Sequence, residues 1–183
     1  MKRWIITPLT ESLIPHVNEA NELFWIIGHI EPSFANEMWT YVEVLYEQPT
    51  MTKFPDDDLD WIDYVNDSNR VVFLAMDRAR CIGQIRVVRE WNHFAYIENI
   101  AVQSAYRQHG VANALMQDAE RWAKEQGLIG LSLEAQHDNV IACRFYKKMG
   151  FVLGGADTLK QYANPHIHMT LYWYNVFERG VDI

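Results

Sequence analysis

Residues Arg107, Gln108, His109, Gly110, Val111 and Ala112 stand directly ahead of an amphipathic run that reaches Trp122. Where a helix begins, backbone N–H groups lack intrahelical partners and the helix dipole favours negative charge, so such a turn can hold a phosphate or diphosphate. Gly110 and Ala112 let the backbone approach a ligand closely, Arg107 adds a fixed positive charge, and Gln108 and His109 add donors. Two familiar phosphate patterns do not fit: no Lys-Ser or Lys-Thr follows the glycine, and there is no GxGxxG. By itself the hexapeptide also fits an ordinary polar loop with a helix start. His166 and His168 are spaced like same-face strand residues, but no carboxylate or cysteine set completes a metal site, so no metal is expected.

These groups need elements to position them. A short apolar strand is expected at Trp4–Thr7. Leu13, Val17, Ala20, Phe24 and Ile27 then recur at helical spacing, with Ser12 able to cap, Pro15 in the tolerant first turn and Gly28 as a stop. Residues 29–46 fit either a helix or a strand: Phe34, Met38, Val42 and Leu45 suit the former, while "MWTYVEVLY" is rich in strand formers. "VVFLAM", "CIGQIRVV" and "FAYIENIAV", separated by polar turns, read as three consecutive antiparallel strands. The run from Val111 carries Leu115, Ala119 and Trp122 on one face and closes at Gly127. "LIGLSLEA" alternates like a strand. Asp138 or Asn139 can cap a second helix bearing Ala142, Phe145 and Met149 and ending at Gly150, and "FVLGGADTL" and "HMTLYWYNVF" are two final strands.

No repeat or linker-like shift in composition interrupts the 183 residues, so one α+β domain over 1–183 is expected. With 49% apolar and 22% charged residues, the chain has ample material for a core and does not read as disordered. A formal charge of -8 disfavours nucleic acid or an anionic membrane as partner and suits a cationic ligand. Two distant cysteines, Cys81 and Cys143, without a CxxC fit a reduced compartment. No apolar run approaches membrane-spanning length and the N-terminus lacks a secretory apolar core, so a cytoplasmic protein is expected.

The order of strand, RQHGVA, helix, strand and "DNVIACRFYKKMGF" resembles the acetyl-coenzyme A site of the GNAT superfamily of N-acetyltransferases. That family's pattern of Gln or Arg, two residues, Gly, one residue, Gly or Ala is filled here by Arg107, Gly110 and Ala112. A second motif, Asn-x-x-Ala with an aromatic-Tyr pair and a later Gly-Phe, appears as Asn139, Ala142, Phe145, Tyr146, Gly150 and Phe151. From "WNHFAYIENIAV" onward, and in "DDDLDWIDY" and "CIGQIRV", the chain is similar to the streptothricin acetyltransferases within that superfamily; residues before about Asp56 match only loosely. His109 departs from the Gly, Lys or Arg often found there.

The resemblance implies a GNAT fold, with a mixed central sheet of about seven strands and helices on both faces. It implies acetyl-coenzyme A as donor, held by Ile100, Ala101, Val102, Arg107, Gln108, His109, Gly110, Val111, Ala112, Asn139, Ala142 and Tyr146. Acetyl transfer to an amine needs a neutral amine, a stabilised oxyanion and a proton for the leaving thiolate. A lysine-like amine near pKa 10.4 is neutral about once in 2,500 molecules at pH 7, so a base that delivers the free amine saves roughly 4–5 kcal/mol. By resemblance Glu98 is that base, with an exposed, salt-bridged strand glutamate as the alternative, and Tyr146 is the acid for the thiolate. A bulged strand at "ENIAV" would expose a main-chain N–H to the thioester carbonyl, so no Ser or Cys nucleophile is needed and Cys143 is a packing residue.

The acceptor implied is the cationic β-lysine amine of a streptothricin, with Asp56, Asp57, Asp58, Asp60 and Trp61 as the acceptor loop; many such aspartates simply face water. A polyamine, an aminoglycoside, or a peptide or protein amine are alternatives, as is a non-catalytic acyl-coenzyme A module. A homodimer is expected from the same resemblance.

Overall fold

The computed structural model describes residues 4–177 of the 183. In chain order the strands are β1 (Ile5–Pro8), β2 (Phe24–Ala35), β3 (Met38–Thr52), β4 (Arg70–Asp77), β5 (Arg80–Arg89), β6 (Phe94–Val102), β7 (Gly130–Gln136), β8 (Val152–Asp157) and β9 (Thr170–Val176). The helices are α1 (Val111–Glu125), between β6 and β7, and α2 (Val140–Lys148), between β7 and β8. Seven strands form one sheet in the order β1-β4-β5-β6-β7-β9-β8, and β2 and β3 form a separate hairpin. The pairs β1/β4, β4/β5, β5/β6 and β8/β9 are antiparallel. The neighbours β6 and β7 are joined through α1, the crossover that parallel strands require, which makes the sheet mixed. This is the expected α+β architecture.

Among the described residues the chain divides into two compact units, one from residues 4–23, 53–131 and 177, the other from 24–52 and 132–176. In the first, Leu9, Ala20, Tyr64, Val72, Leu74, Met76 and Cys81 form a buried cluster, flanked by Leu13, Ile14, Val17 and Trp61. α1 buries Val111, Leu115, Met116, Ala119, Trp122 and Ala123, the stripe its helical period dictates, and lies on β4, β5 and β6. It seats closely because β5 carries Gly83 beneath it: a Cβ there would stand 2.8 Å from Val111 and 3.2 Å from Leu115. That contact fixes the height of the helix start over the sheet. Gly127, at φ +67°, follows the helix as expected.

In the second unit β2 and β3 pair from Phe24↔Thr52 to Ala35↔Met38. Asn36 and Glu37, with φ of 51° and 60°, make the two-residue turn whose twist suits a hairpin. α2 buries Val140, Cys143 and Tyr146, packs on β2, and is tied to β3 by Arg144, whose Nε reaches both oxygens of Glu43 at 3.1 and 3.0 Å. Gly150, at φ +86°, ends it as expected.

The helix expected over Leu13–Ile27 is not formed. A 3-10 turn covers Glu11–His16 with Thr10, not Ser12, preceding it, Asn18 breaks the path at φ +71°, and Phe24 to Ile27 enter β2. The apolar spacing was real, since Leu13, Val17 and Ala20 face the core, but aromatic and β-branched side chains favoured a strand once a partner strand existed. Gly28 is not a helix stop. It permits close approach within the hairpin, where a Cβ would meet the Val44 carbonyl oxygen at 2.2 Å. His166 and His168 lie in the loop before β9, not on a strand face.

Candidate active site

In the first unit β6 ends at Val102, a 3-10 turn spans Ser104–Tyr106, and the chain reaches α1 through Arg107, Gln108, His109 and Gly110. Gln108 and Gly110 both take left-handed backbone, at φ 63° and 83°. No side chain caps α1, and a Cβ on Gly110 would meet no atom within 4 Å. The amides at this 15-residue helix start therefore have no side-chain cap among the described residues, the setting in which a helix start can hold an anion. Val111 is buried at the sheet, while Ala112 is half-buried. His109 donates from Nδ1 to the Arg107 carbonyl at 2.7 Å, a carbonyl being unable to donate.

Arg107 holds this turn through main-chain contacts. Its Nε donates to the Val102 carbonyl and Nη2 to the Leu23 carbonyl, both at 3.0 Å. Glu22 accepts the Ser104 N–H at 2.6 Å, and that bond, aided by the charges of Arg107 and Arg80, holds its carboxyl below the usual range.

β6 carries a bulge at Glu98. Arg86 pairs with Asn99 and Val87 with Ile97, so Glu98 is the extra residue, and a bulge re-aims its side chain away from regular alternation. One of its oxygens, Oε2, accepts both the Tyr64 hydroxyl at 2.8 Å and Arg86 Nε at 2.9 Å. Arg86 Nη2 reaches Asp57 at 2.7 Å, and its guanidinium carbon lies 5.6 Å from the Trp61 ring centroid and 6.0 Å from that of Tyr64. The Arg86 side chain is only 7% exposed against 25% for Glu98 and 50% for Asp57. Burial and the Glu98 carboxylate push the Tyr64 phenol up to about 12, so it remains a donor throughout the physiological range. Further along β6, Ile100, Ala101 and Val102 are half-buried and pair with Ile85, Gln84 and Gly83.

Most of the acidic loop has partners within the protein. Asp56 accepts from Asn21 at 3.0 Å and Lys53 at 3.2 Å, Asp57 holds Arg86, and Asp60 accepts the Ile62 N–H at 3.4 Å at the start of the Trp61–Tyr64 turn. Asp58 has no hydrogen-bond or ion-pair partner among the described residues. The Trp61 face expected for a ligand cation already carries Arg86.

In the second unit Asn139 caps α2, its Oδ1 accepting the Ala142 N–H at 3.3 Å. Tyr146 is the buried member of the aromatic pair and Phe145 only half-buried, as adjacent helix positions require. Cys143 is fully buried, and burial pushes its thiol up to about 12, so it makes no thiolate nucleophile near neutral pH.

Sequence reasoning missed Arg86 and Tyr64. A signal existed: Gln84 and Arg86 interrupt an otherwise apolar strand at same-face spacing, and buried polar side chains in a strand demand partners. Among the described residues no group of three His, Cys, Asp or Glu could hold a metal, and no helix is long and apolar enough to cross a membrane.

Residues 33–151 match the acetyltransferase (GNAT) family model. Over 174 residues the chain is 37% identical to streptothricin acetyltransferase A of Bacillus subtilis, covering 94% of this chain and 100% of that protein. Its fold is similar to that of a Bacillus anthracis protein described as a candidate streptothricin acetyltransferase and crystallised with acetyl coenzyme A. There the TM-score is 0.87 at 31% identity, over 96% of this chain and 99% of the other. It is likewise similar to nourseothricin acetyltransferase, with a TM-score of 0.80 at 25% identity over 96% and 99%. The chain belongs to the GNAT family of acetyltransferases and is an acetyl-coenzyme A-dependent N-acetyltransferase.

Proposed function

We propose that this enzyme acetylates the β-lysine amine of streptothricin-type antibiotics and thereby confers resistance to them. The observation that carries this reading is the likeness to streptothricin acetyltransferase A along nearly the whole chain, which includes the bulged β6 and the acidic loop. The negative net charge and the Asp58 carboxylate, without a partner among the described residues, suit a polycationic acceptor.

In this reading the amides of Gln108, His109, Gly110, Val111 and Ala112 hold the diphosphate of acetyl-coenzyme A, and Arg107 shapes the turn that presents them. Acetyl-coenzyme A supplies the acetyl group as an activated thioester. Ile100, Ala101 and Val102 line the pantetheine arm, and a main-chain N–H of this strand polarises the thioester carbonyl. Asn139, with Oδ1 committed to its helix cap, offers Nδ2 as donor, and Ala142 gives close approach. Glu98 takes the ammonium proton, directly or through one water, so that the amine nitrogen forms its bond to the acetyl carbon as the carbon–sulfur bond breaks. Tyr146 gives the departing sulfur its proton and regains one as the new amide nitrogen sheds its second, so that the one proton released overall is the one Glu98 passes to solvent. Asp56, Asp57, Asp58, Asp60 and Trp61 make up the acceptor loop, in which Asp58 meets the cation and the others shape the loop. The two free cysteines suit a cytoplasmic enzyme, and the exposed Phe34, Met38 and Val42 of the hairpin are surface that a homodimer would cover.

Mass spectrometry of streptothricin incubated with the protein and acetyl-coenzyme A tests the assignment. One added acetyl on the β-lysine is expected. Turnover of spermidine, an aminoglycoside or a peptide N-terminus, with streptothricin unchanged, would move the acceptor to that class.

A further inference from the structure

We propose that Tyr64 and Arg86 are positioning residues for proton transfer: both donate to Oε2 of Glu98 and so leave Oε1 as the oxygen that receives the acceptor's proton. This rests on Glu98 as the base.

A carboxylate has two oxygens that a turn of its last torsion interchanges, and a base is effective only within about 2.6–3.2 Å of the proton it takes, or one water away. Here two donors from different elements, the Tyr64 hydroxyl and Arg86 Nε, converge on the same oxygen at 2.8 and 2.9 Å. Among the described residues Oε1 accepts no hydrogen bond. The bulge takes Glu98 out of the regular ladder, so the strand alone does not fix its carboxylate, and the two donors do.

Arg86 suits this role because its fork is planar. Nε serves Glu98 while Nη2 serves Asp57, which a single ammonium cannot reproduce with the same geometry. The guanidinium is thus shared between two carboxylates, Glu98 at 2.9 Å and Asp57 at 2.7 Å. The groups around the carboxylate are thus Arg86 from β5, Tyr64 from the 3-10 turn and, one contact beyond, Asp57 from the loop and Arg70 from β4, 5.3 Å from the Tyr64 ring. Because the Tyr64 phenol loses its proton only at about 12, it donates over the whole assay range.

Steady-state kinetics of the full chain, with the amine found to be turned over, test the proposal in Glu98→Gln, Tyr64→Phe and Arg86→Lys. At pH 7 Glu98→Gln should lower kcat about 100-fold. Tyr64→Phe and Arg86→Lys should each lower it about tenfold, the loss of one net hydrogen bond's worth of alignment, with KM for acetyl-coenzyme A within about twofold of native. All three deficits should shrink toward pH 10, where the amine arrives already neutral; a packing defect would not recover. Native kcat in Tyr64→Phe beside a slow Glu98→Gln would overturn the positioning role and leave the base. Native kcat in Glu98→Gln would overturn both. Should Arg86→Lys fail to fold, Tyr64→Phe, which keeps the buried ring, decides alone.

Discussion

Replacing Gly110 with alanine separates the turn's role in the fold from its role at the ligand, provided that Gly127→Ala is measured beside it. Both glycines have left-handed backbone, at φ 83° and 67°, and an added Cβ at either meets nothing within 4 Å. Left-handed backbone costs an L-residue about 1–2 kcal/mol, so both variants should lose that much stability, a fall of about 2–8 °C in Tm for a chain this size. Their effects on coenzyme A should differ. With the diphosphate placed as proposed, the methyl at Gly110 takes up space beside the helix-start amides, and losing one charged hydrogen bond there costs about 1.5–3 kcal/mol. Kd for coenzyme A should therefore rise about 10- to 150-fold in Gly110→Ala and stay native in Gly127→Ala. Scanning fluorimetry gives the first quantity and isothermal calorimetry the second. Native affinity in Gly110→Ala, or equal weakening in both, would refute the placement of the diphosphate at this turn.

Two further outcomes follow from contacts in the structure. Arg107→Lys keeps the charge but cannot bridge the Val102 and Leu23 carbonyls with a planar fork, so Tm should fall and coenzyme A bind several-fold more weakly. Native calorimetry in that variant would return the role to charge alone. The buried thiols of Cys81 and Cys143 ionise only at about 11 and 12, whereas unfolded thiols do so near 9. Above pH 9 the unfolded state binds fewer protons than the native, so this contribution to stability is complete below 9 and is lost as pH rises through 12. The urea midpoint should decline accordingly, less steeply in Cys143→Ala, and Ellman's reagent should modify the native protein at pH 8 only after urea is added; fast labelling without urea would contradict their burial.

The helix at Val111–Glu125 and the strands β4, β5 and β6 were legible because their periodicity and bounding turns agree with what tertiary packing rewards. The segment from Leu13 to Ile27 was misread for a related reason. Its apolar spacing satisfies a helix, yet Phe24 to Ile27 gain more from β3, whose own pattern was ambiguous, and a partner strand is a non-local fact. At the site, "RQHGVA" by itself also fits an ordinary polar loop, and it was the order of strand, turn, helix and the second motif that singled it out; the left-handed backbone of Gly110 is visible only in the structure.

The chain's sequence, then, determined the family motifs, the helix that follows the RQHGVA turn and the presence of a carboxylate at position 98, because each depends on local backbone preference or on neighbours a few residues apart. Tertiary structure decided which oxygen of Glu98 is held, that Arg107 clamps main chain, and that Asp57 and Trp61 attend to Arg86. Several of those partners lie far along the chain, Tyr64 being 34 residues from Glu98 and Leu23 84 from Arg107, and only packing around a shared core brings such groups within hydrogen-bonding distance.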